Sequence, residues 1–250
     1  MSVIIDTILE VRDLNRNFGA LRAVDDVSFK AERGHITSVI GPNGAGKSTL
    51  FNLITGAIAP NGGAILFNSQ EVTRLPIRGK LKLGMARSFQ ITNLFFELSV
   101  LENLRLATQF LEPAHLAFFP IGRSKRAIEK ALELLERFEL TDQAALRAGE
   151  LSHGERRRLE IAVTLASEPE LLLLDEPTQG MSHSDTEETA EIIRALSKEI
   201  SILLIEHDIS LVMDLSDHVL VMHQGANLAE GTPETVRNNP AVKEAYLGHA

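Results

Sequence analysis

The sequence predicts an α/β protein built on a parallel β-sheet. The apolar runs Leu171–Leu174 and Ile202–Ile205 have the length of buried strands, and Thr186–Leu196 between them has a helical pattern. Strands that alternate with helices are parallel and covered on both faces. Between roughly residues 91 and 166 the pattern is mainly helical, with one apolar helix face made by Ala127, Ala131, Leu134, Leu135 and Phe138. We therefore expect a helical insertion into the sheet domain.

Length, composition and charge exclude several classes of protein. The 250 residues suffice for one α/β domain with a subdomain, and 44% hydrophobic content is typical of a globular protein with a substantial core. A formal net charge of −9 argues against non-specific nucleic-acid binding, which needs a basic surface. The absence of cysteine excludes disulfides and thiolate metal sites. No apolar window is long enough to cross a bilayer, and an N-terminus interrupted by Asp6 and Glu10 is not expected to be a secretory signal.

The most specific motif is a phosphate-binding loop at residues 41–49, which reads GPNGAGKST. Strands are predicted before it at Ile8–Val11, Val27–Lys30 and residues 35–40, a helix is predicted at 48–54, and a strand at Ala64–Phe67 follows. Between a strand and a helix, the backbone N–H groups of such a loop point at an anion, and the helix N-terminus adds partial positive charge. The residues expected to contact a nucleoside triphosphate are Gly41, Pro42, Asn43, Gly44, Ala45, Gly46, Lys47, Ser48 and Thr49. Lys47 would neutralise the β- and γ-phosphates, and Ser48 would ligate Mg²⁺.

Two carboxylates follow directly where the strand Leu171–Leu174 ends. In open α/β sheets, ligands bind at the carboxyl ends of the strands. Asp175 is therefore predicted to hold Mg²⁺ through the water shell of the ion, and Glu176 to polarise an attacking water. The alternative interpretation is that both side chains only cap the following turn.

The segment Leu151-Ser152-His153-Gly154-Glu155 has two compatible interpretations. Ser152 and Glu155 have the spacing of a capping box that begins an amphipathic helix. The same geometry places a hydroxyl and a glycine N–H at a helix N-terminus, which is a second phosphate-binding arrangement.

These motifs, in this order, resemble those of the ATP-binding subunit of an ABC transporter: the phosphate loop, Leu-Ser-x-Gly-Glu, Leu-Leu-Asp-Glu-Pro and a histidine after a later strand. The resemblance extends over the whole chain and implies a single ATP-binding domain over residues 1–250. Its fold would be that of a P-loop NTPase, with a RecA-like parallel sheet core, an antiparallel β subdomain and an inserted α-helical subdomain. The core with its β subdomain would comprise residues 1–90 and 167–250, and the helical subdomain with the signature would comprise 91–166.

The resemblance also implies further site residues. Phe18 matches the aromatic position that stacks on adenine, where Tyr is commoner, and its alternative role is that of a core residue at a strand end. Gln90 matches the glutamine that senses Mg²⁺ and the γ-phosphate, and His207 matches the histidine that contacts the γ-phosphate. The implied catalytic residues are Glu176, His207, Lys47 and Gln90, and the implied Mg²⁺ ligands are Ser48, Gln90 and Asp175.

The family architecture requires two such chains, identical or paralogous, arranged head to tail. Ser152 and Gly154 of one chain would then face the ATP bound by the other. The implied assembly includes two integral membrane permease subunits and, indirectly, a periplasmic solute-binding protein, and no nucleic acid. It places the chain peripherally on the cytoplasmic face of the inner membrane. His153 replaces a usual glycine, and its side chain is expected to project away from the phosphate. Ser182 replaces a common aspartate that helps link the two sites, so we expect activity to survive with altered coupling between them.

Three segments resemble those of ATPase subunits from bacterial importers of branched-chain amino acids: residues 87–90, 203–208 and 238–248. Importers of urea and short amides share Leu-Ser-His-Gly and the Gly-Met after the Asp-Glu-Pro turn, and they remain an alternative.

A soluble ABC ATPase acting on ribosomes or DNA is less favoured. The chain has one ATP-binding unit, a short helical insertion and an acidic balance, and the run Arg156-Arg157-Arg158 is expected to be a solvated helix face. A non-hydrolytic regulator is disfavoured because Glu176 and His207 are both present.

Overall fold

The computed structural model describes residues 6–87, 94–109 and 125–247, and within these ranges the predicted α/β fold is confirmed. The strands are β1 (Thr7–Phe18), β2 (Leu21–Glu32), β3 (Ile36–Ile40), β4 (Gly62–Phe67), β5 (Gln70–Glu71), β6 (Met85–Arg87), β7 (Leu171–Asp175), β8 (Ser201–Ile205), β9 (His218–His223) and β10 (Ala226–Gly231). The helices are α1 (Lys47–Thr55), α2 (Ile77–Lys82), α3 (Val100–Thr108), α4 (Lys125–Arg137), α5 (His153–Leu165), α6 (His183–Leu196), α7 (Ile209–Leu215), α8 (Pro233–Asn238) and α9 (Pro240–Leu247). None of the helices in these ranges is both long and apolar enough to span a membrane.

A mainly parallel sheet has the strand order β10-β9-β3-β8-β7-β6. Every residue of β3, β7 and β8 is buried, as expected for strands covered on both faces. The pairs β3–β8, β3–β9, β7–β8 and β6–β7 are parallel, and β10 pairs with β9 in the antiparallel sense. The carboxyl ends of β3, β8 and β7 therefore lie side by side at one edge, where the phosphate loop and the carboxylates begin.

An antiparallel sheet has the order β2-β1-β4-β5. Its first two strands each run for 12 residues, much longer than the four-residue segments predicted at Ile8–Val11 and Val27–Lys30. The pairing of β1 with β2 contains register shifts, and Asp13 and Asp26 adopt positive φ angles of 46° and 51° near them. Such bulges interrupt the two-residue alternation on which the sequence prediction depended, so the prediction found only the regular part of each strand.

Helix α1 is fixed by the hydrophobic core of the unit that contains both sheets. That compact unit consists of Met1–Arg87, Glu170–Gln179 and Ala190–Ala250. Leu50, Phe51, Leu53 and Ile54 are fully buried in one cluster with residues of both sheets. Burial of four large apolar side chains contributes on the order of 1.5–3 kcal/mol each. The position of the phosphate loop at the start of α1 therefore depends on the core.

The second compact unit consists of Ser88–Pro169 and Gly180–Thr189. Its helix α4 buries the apolar face that the sequence indicated, formed by Ala127, Ala131, Leu134, Leu135 and Phe138. Helix α3 packs on both α4 and α5. The first residues of α6 also belong to this unit, although no sequence feature marks a boundary between the two units inside that helix.

The C-terminal helices contribute a smaller apolar cluster to the first unit. Val212 of α7, Val236 of α8 and Val242 of α9 pack with Ile40, the residue before the phosphate loop. Tyr246 packs against this cluster, and burial raises the pKa of its phenol to about 12, opposed by a hydrogen bond to the backbone of Gly41. The end of the chain therefore supports the first residues of the loop.

Candidate nucleotide-binding site

The phosphate loop lies between β3 and α1, as predicted, and its glycines are required by close backbone contacts. Gly41 has a φ of 155°, and a Cβ there would lie 2.2 Å from the carbonyl oxygen of Met222. Gly46 has a φ of 98°, and a Cβ there would lie 2.3 Å from the carbonyl oxygen of Ala23. The loop is further supported from the turn after β9, where the Gly225 N–H donates to the Ala45 carbonyl at 3.0 Å. Only glycine gives the backbone this approach and these angles.

Lys47 folds back over the loop. Its Nζ donates to the carbonyl oxygens of Gly41 at 2.7 Å and Pro42 at 3.1 Å. Burial lowers the pKa of Lys47, while the charges of Glu176 and Asp175 oppose that shift. A partly desolvated ammonium close to two carboxylates and to N–H groups at a helix N-terminus is suited to a polyanion.

A cleft of about 510 Å³ opens beside the loop. Its lining brings together the predicted contacts Phe18, residues 43–49 and Glu176, and it does not include Gly41 or Pro42. Four residues that the sequence did not single out also line it: Leu21, Arg22, Ala23 and Gln224. Phe18 is 45% exposed, so it is not the core residue that was its alternative role. The guanidinium of Arg16 lies 4.7 Å from the centroid of the Phe18 ring, which leaves an aromatic surface for a planar ligand.

Asp175 at the end of β7 has one carboxylate oxygen bound and one without a partner. Oδ2 accepts a hydrogen bond from Nη2 of Arg87 at 2.7 Å. Oδ1 is buried and has no hydrogen-bond partner among the described residues. A buried oxygen without a donor is costly, and carboxylate oxygens are the ligands that Mg²⁺ prefers. Asp175 and the exposed hydroxyl-bearing Ser48 are donors that fit this ion.

The described residues contain no cluster of three or more His, Cys, Asp or Glu able to enclose a metal. Mg²⁺ that is bound mainly through substrate phosphates needs only one or two protein oxygens. The sparse donor set is therefore consistent with a metal that binds together with a nucleotide.

Glu176 leaves the strand with an unusual backbone conformation. Its φ is 47°, in the left-handed region that non-glycine residues rarely adopt. Its N–H donates to the Ile205 carbonyl at 2.9 Å, so pairing with β8 continues through this turn. Glu176 lines the cleft beside the phosphate loop, whereas Asp175 is not part of the cleft lining.

His207 follows β8 and is anchored by a buried carboxylate. Glu206 is fully buried, and its Oε1 accepts hydrogen bonds from the backbone and the hydroxyl of Thr178 at 3.0 and 2.6 Å. Its Oε2 accepts from the N–H of His207 at 3.1 Å. The side chain of His207 is 59% exposed and does not line the cleft. Glu206 thus holds together two segments, the turn after Glu176 and the start of the histidine segment.

The predicted capping box at the start of α5 is present in the second unit. The Glu155 N–H donates to Ser152 Oγ at 3.3 Å, and the Ser152 N–H donates to Glu155 Oε2 at 2.8 Å. A Cβ on Gly154 would lie 3.6 Å from Oδ1 of Asp185. Ser182 caps the next helix, since its Oγ donates to Oδ2 of Asp185 at 2.8 Å and accepts from the N–H of the same residue.

The arginine run of α5 is less solvated than expected. The side chains of Arg157 and Arg158 are 11% and 20% exposed. Arg157 pairs with Glu160, Arg158 pairs with Glu188, and Arg156 lies over the ring of Phe96. The predicted solvated face is therefore only partly solvated, because these arginines contact side chains of their own compact unit.

Comparison with protein families gives the context for this geometry. The chain matches the family described as ABC transporter over residues 24–179, which is more than half of its length. It belongs to the ABC transporter family. A second family, described as branched-chain amino acid ATP-binding cassette transporter, matches residues 226–250. The resemblance inferred from the motifs is confirmed, and with it ATP as the nucleotide and ATP hydrolysis as the activity.

Relatives match this ABC ATPase over nearly the whole chain. The high-affinity branched-chain amino acid transport ATP-binding protein BraF of Pseudomonas aeruginosa is 44% identical, covering 97% of this chain and 98% of the relative. The corresponding protein LivG of Escherichia coli is 43% identical with the same coverage of 97% and 98%. The ADP conformation of MJ1267, an ATP-binding cassette of an ABC transporter, superposes with a TM-score of 0.87 at 33% identity and covers 97% of this chain and 99% of that structure.

Sequence reasoning missed some residues that shape this ABC ATPase site. No motif predicted a role in the site for Arg87, Glu206 or Gly225, which make the contacts described above. A charged residue at the end of an apolar strand was the available signal for Arg87 and Glu206. Gln90, predicted as a catalytic residue and metal ligand, lies outside the described residues.

Proposed function

We propose that this ABC ATPase is the ATP-hydrolysing subunit that drives import of branched-chain amino acids through a membrane transporter. The observation that carries the proposal is 44% identity to BraF over 97% of the chain. The match of residues 226–250 to the branched-chain amino acid family supports it independently of the nucleotide-binding motifs. The urea or short-amide alternative is not favoured by these relatives. Neither is a soluble ATPase acting on nucleic acid or ribosomes, which the net charge of −9 also disfavours.

In the proposed complex, ATP lies in the cleft lined by the phosphate loop. Residues 41–49 would surround the phosphates with backbone N–H groups, and Lys47 would exchange its carbonyl partners for phosphate oxygens. Phe18 would stack on adenine from the exposed side of its ring. This assignment is supported by the shared lining of one cleft by Phe18, the loop and Glu176.

We propose that Ser48, Asp175 and Gln90 would hold Mg²⁺ when the nucleotide is bound. The free buried oxygen of Asp175 supports the assignment. When bound, the ion supplies charge neutralisation to the transferring phosphoryl group.

Hydrolysis would proceed by in-line attack of water on the γ-phosphate. Glu176, which lines the cleft together with the loop, is suited to orient this water and accept its proton. His207 would contact the γ-phosphate after a local rearrangement, because its exposed side chain does not line the cleft. Positioning and charge stabilisation would then supply most of the acceleration.

Ser152 and Gly154 at the start of α5 would complete the site of a second chain. Their capped helix N-terminus is suited to a γ-phosphate, and Ser152 is exposed as this role requires. The working unit is thus a dimer with an identical or paralogous ATPase, bound to two permease subunits at the cytoplasmic face of the membrane. Within each chain, we assign residues 1–90 and 167–250 to the nucleotide-binding core and 91–166 to the helical subdomain that carries the signature.

Reconstitution of the complete transporter tests this proposal. The chain is purified in detergent together with the membrane subunits that accompany it, inserted into liposomes with ATP inside, and supplied with periplasmic solute-binding protein from the same organism. We expect uptake of labelled leucine, isoleucine and valine that stops when ATP is omitted. Uptake of urea or acetamide without leucine would contradict the proposal, as would isolation of the chain with ribosomes or DNA instead of permeases.

A further inference from the structure

Arg87 connects the two parts of the chain that carry the proposed metal ligands. It is the last residue of β6 and pairs in parallel register with Leu173 of β7, two residues before Asp175. Its Nη2 donates to Oδ2 of Asp175 at 2.7 Å, and its Nη1 donates to Oδ1 of Asn52 at 2.6 Å. One guanidinium thus joins β7 to helix α1 through two charge-assisted hydrogen bonds.

Arg87 contacts α1 on the helix face that also carries Ser48. Asn52 lies four residues after Ser48, and residues with this spacing are neighbours on one helix face. The Arg87 guanidinium also lies 5.9 Å from the centroid of Phe51, which is fully buried. Its attachment to α1 is therefore held by the core as well as by the Asn52 amide.

Arg87 also determines which oxygen of Asp175 is available. The Asp175 side chain is 1% exposed, and that of Arg87 is 17% exposed, so the pair is largely desolvated. Because Arg87 binds Oδ2, the carboxylate cannot rotate without breaking a short ion-pair hydrogen bond. Oδ1 is left buried and without a partner among the described residues.

We infer that Arg87 is a positioning residue for the metal site: through Asn52 and Asp175, it fixes the free Asp175 oxygen relative to the face of α1 that carries Ser48. The inference rests on the proposed function, because it takes Ser48 and Asp175 as metal ligands. Groups that orient a ligand carboxylate commonly contribute about 10- to 100-fold to metal affinity. A salt bridge that served folding alone would have no such effect.

The test measures the affinity of the non-hydrolysable analogue AMP-PNP by calorimetry, once in EDTA and once in saturating Mg²⁺. The affinity in Mg²⁺ divided by the affinity in EDTA reports the contribution of the metal. For Arg87→Met we expect an unchanged affinity in EDTA and a ratio reduced about tenfold. Asn52→Leu should reproduce the loss without touching Asp175, and the double variant should lose no more than either single one.

Arg33→Met is the matched control. Arg33 pairs with Glu170 at 2.9 Å, directly before the opposite end of β7, so this variant also removes an arginine–carboxylate pair. It should leave both affinities unchanged. If Arg87→Met folds poorly, Asn52→Leu carries the test by itself.

Two outcomes separate this inference from the proposed function. Equal loss of affinity in EDTA and in Mg²⁺, or an unchanged ratio in both Arg87→Met and Asn52→Leu, would overturn the positioning role of Arg87. If Asp175→Asn also left the ratio unchanged, the proposed metal site itself would be wrong. A reduced ratio in Asp175→Asn alone would keep the proposed function and reject only the inference.

Discussion

At the scale of single residues, the proposed ATP complex would separate recognition of the base from recognition of the phosphates. Lys47 and the loop N–H groups are suited to charge, whereas Phe18 presents an aromatic surface that is 45% exposed. The guanidinium of Arg16 lies 4.7 Å from the centroid of this ring. The two contributions to binding can therefore be measured separately.

Phe18→Ala should weaken ATP binding about tenfold, because stacking of a base on an aromatic side chain contributes roughly 1–3 kcal/mol. Phe18→Tyr should bind ATP as the wild type does. Calorimetry measures ATP binding in each case. Inorganic triphosphate, titrated by the same method, should bind both variants equally well.

Phe95→Ala is the control for Phe18→Ala, since Phe95 is 59% exposed and belongs to the other compact unit. An equal loss of affinity for ATP and for triphosphate in Phe18→Ala would reject base stacking and indicate a distorted loop.

At the scale of elements, helix α1 connects the phosphate loop to a buried cation at its other end. Lys80 of α2 is 1% exposed, and its Nζ donates to the carbonyl oxygens of Ile54 at 2.6 Å and Leu53 at 3.3 Å. A cation at this position satisfies carbonyls at the helix C-terminus and matches the helix dipole. Burial lowers the pKa of Lys80 to about 8.

This burial predicts a rise in stability at alkaline pH. Below pH 8 the Lys80 ammonium is charged in the folded and unfolded chain alike, and the folded state bears the cost of burying it. Between the folded pKa of about 8 and the ordinary value of 10.5, the unfolded chain binds the extra proton, so the free energy of unfolding increases with pH. We expect a gain of about 2 kcal/mol between pH 7 and pH 9.5 that is absent in Lys80→Met.

Urea unfolding of both proteins at the two pH values measures this difference, and groups common to both proteins cancel. Lys82→Met, which alters an exposed lysine of the same helix, should behave as the wild type. Parallel pH profiles for wild type and Lys80→Met would show that the amine is not desolvated.

These elements show which parts of the structure can be predicted from the sequence. The phosphate loop, the buried strand β7 and the capping box of α5 could be predicted because each has a pattern of neighbouring residues in the sequence. The full lengths of β1 and β2 could not, since bulges near Asp13 and Asp26 interrupt their alternation. Arg87 and Glu206 were missed as structural residues because their partners are 88 and 28 positions away in the chain. Long-range polar contacts leave no local pattern in one sequence.

At the scale of the whole molecule, the proposed function gives the chain the parts of two half-sites. The phosphate loop and the carboxylates after β7 belong to the first compact unit, and the capped start of α5 belongs to the second. In the proposed dimer, each ATP is held by the loop of one chain and by Ser152 and Gly154 of the other. ATP would thus be needed to bring two chains together, and its hydrolysis would release them.

Glu176→Gln tests the central claim, because it removes the proposed base and keeps the size of the side chain. Loss of a positioned general base lowers turnover by about 10²–10⁴-fold, so ATP should persist in the site. The measurement is light scattering of this variant after incubation with ATP and Mg²⁺, with the bound nucleotide identified in the eluted peak. We predict a dimer that retains two molecules of intact ATP. A monomer carrying ADP, formed at the rate of the wild-type chain, would contradict both the base and the shared site.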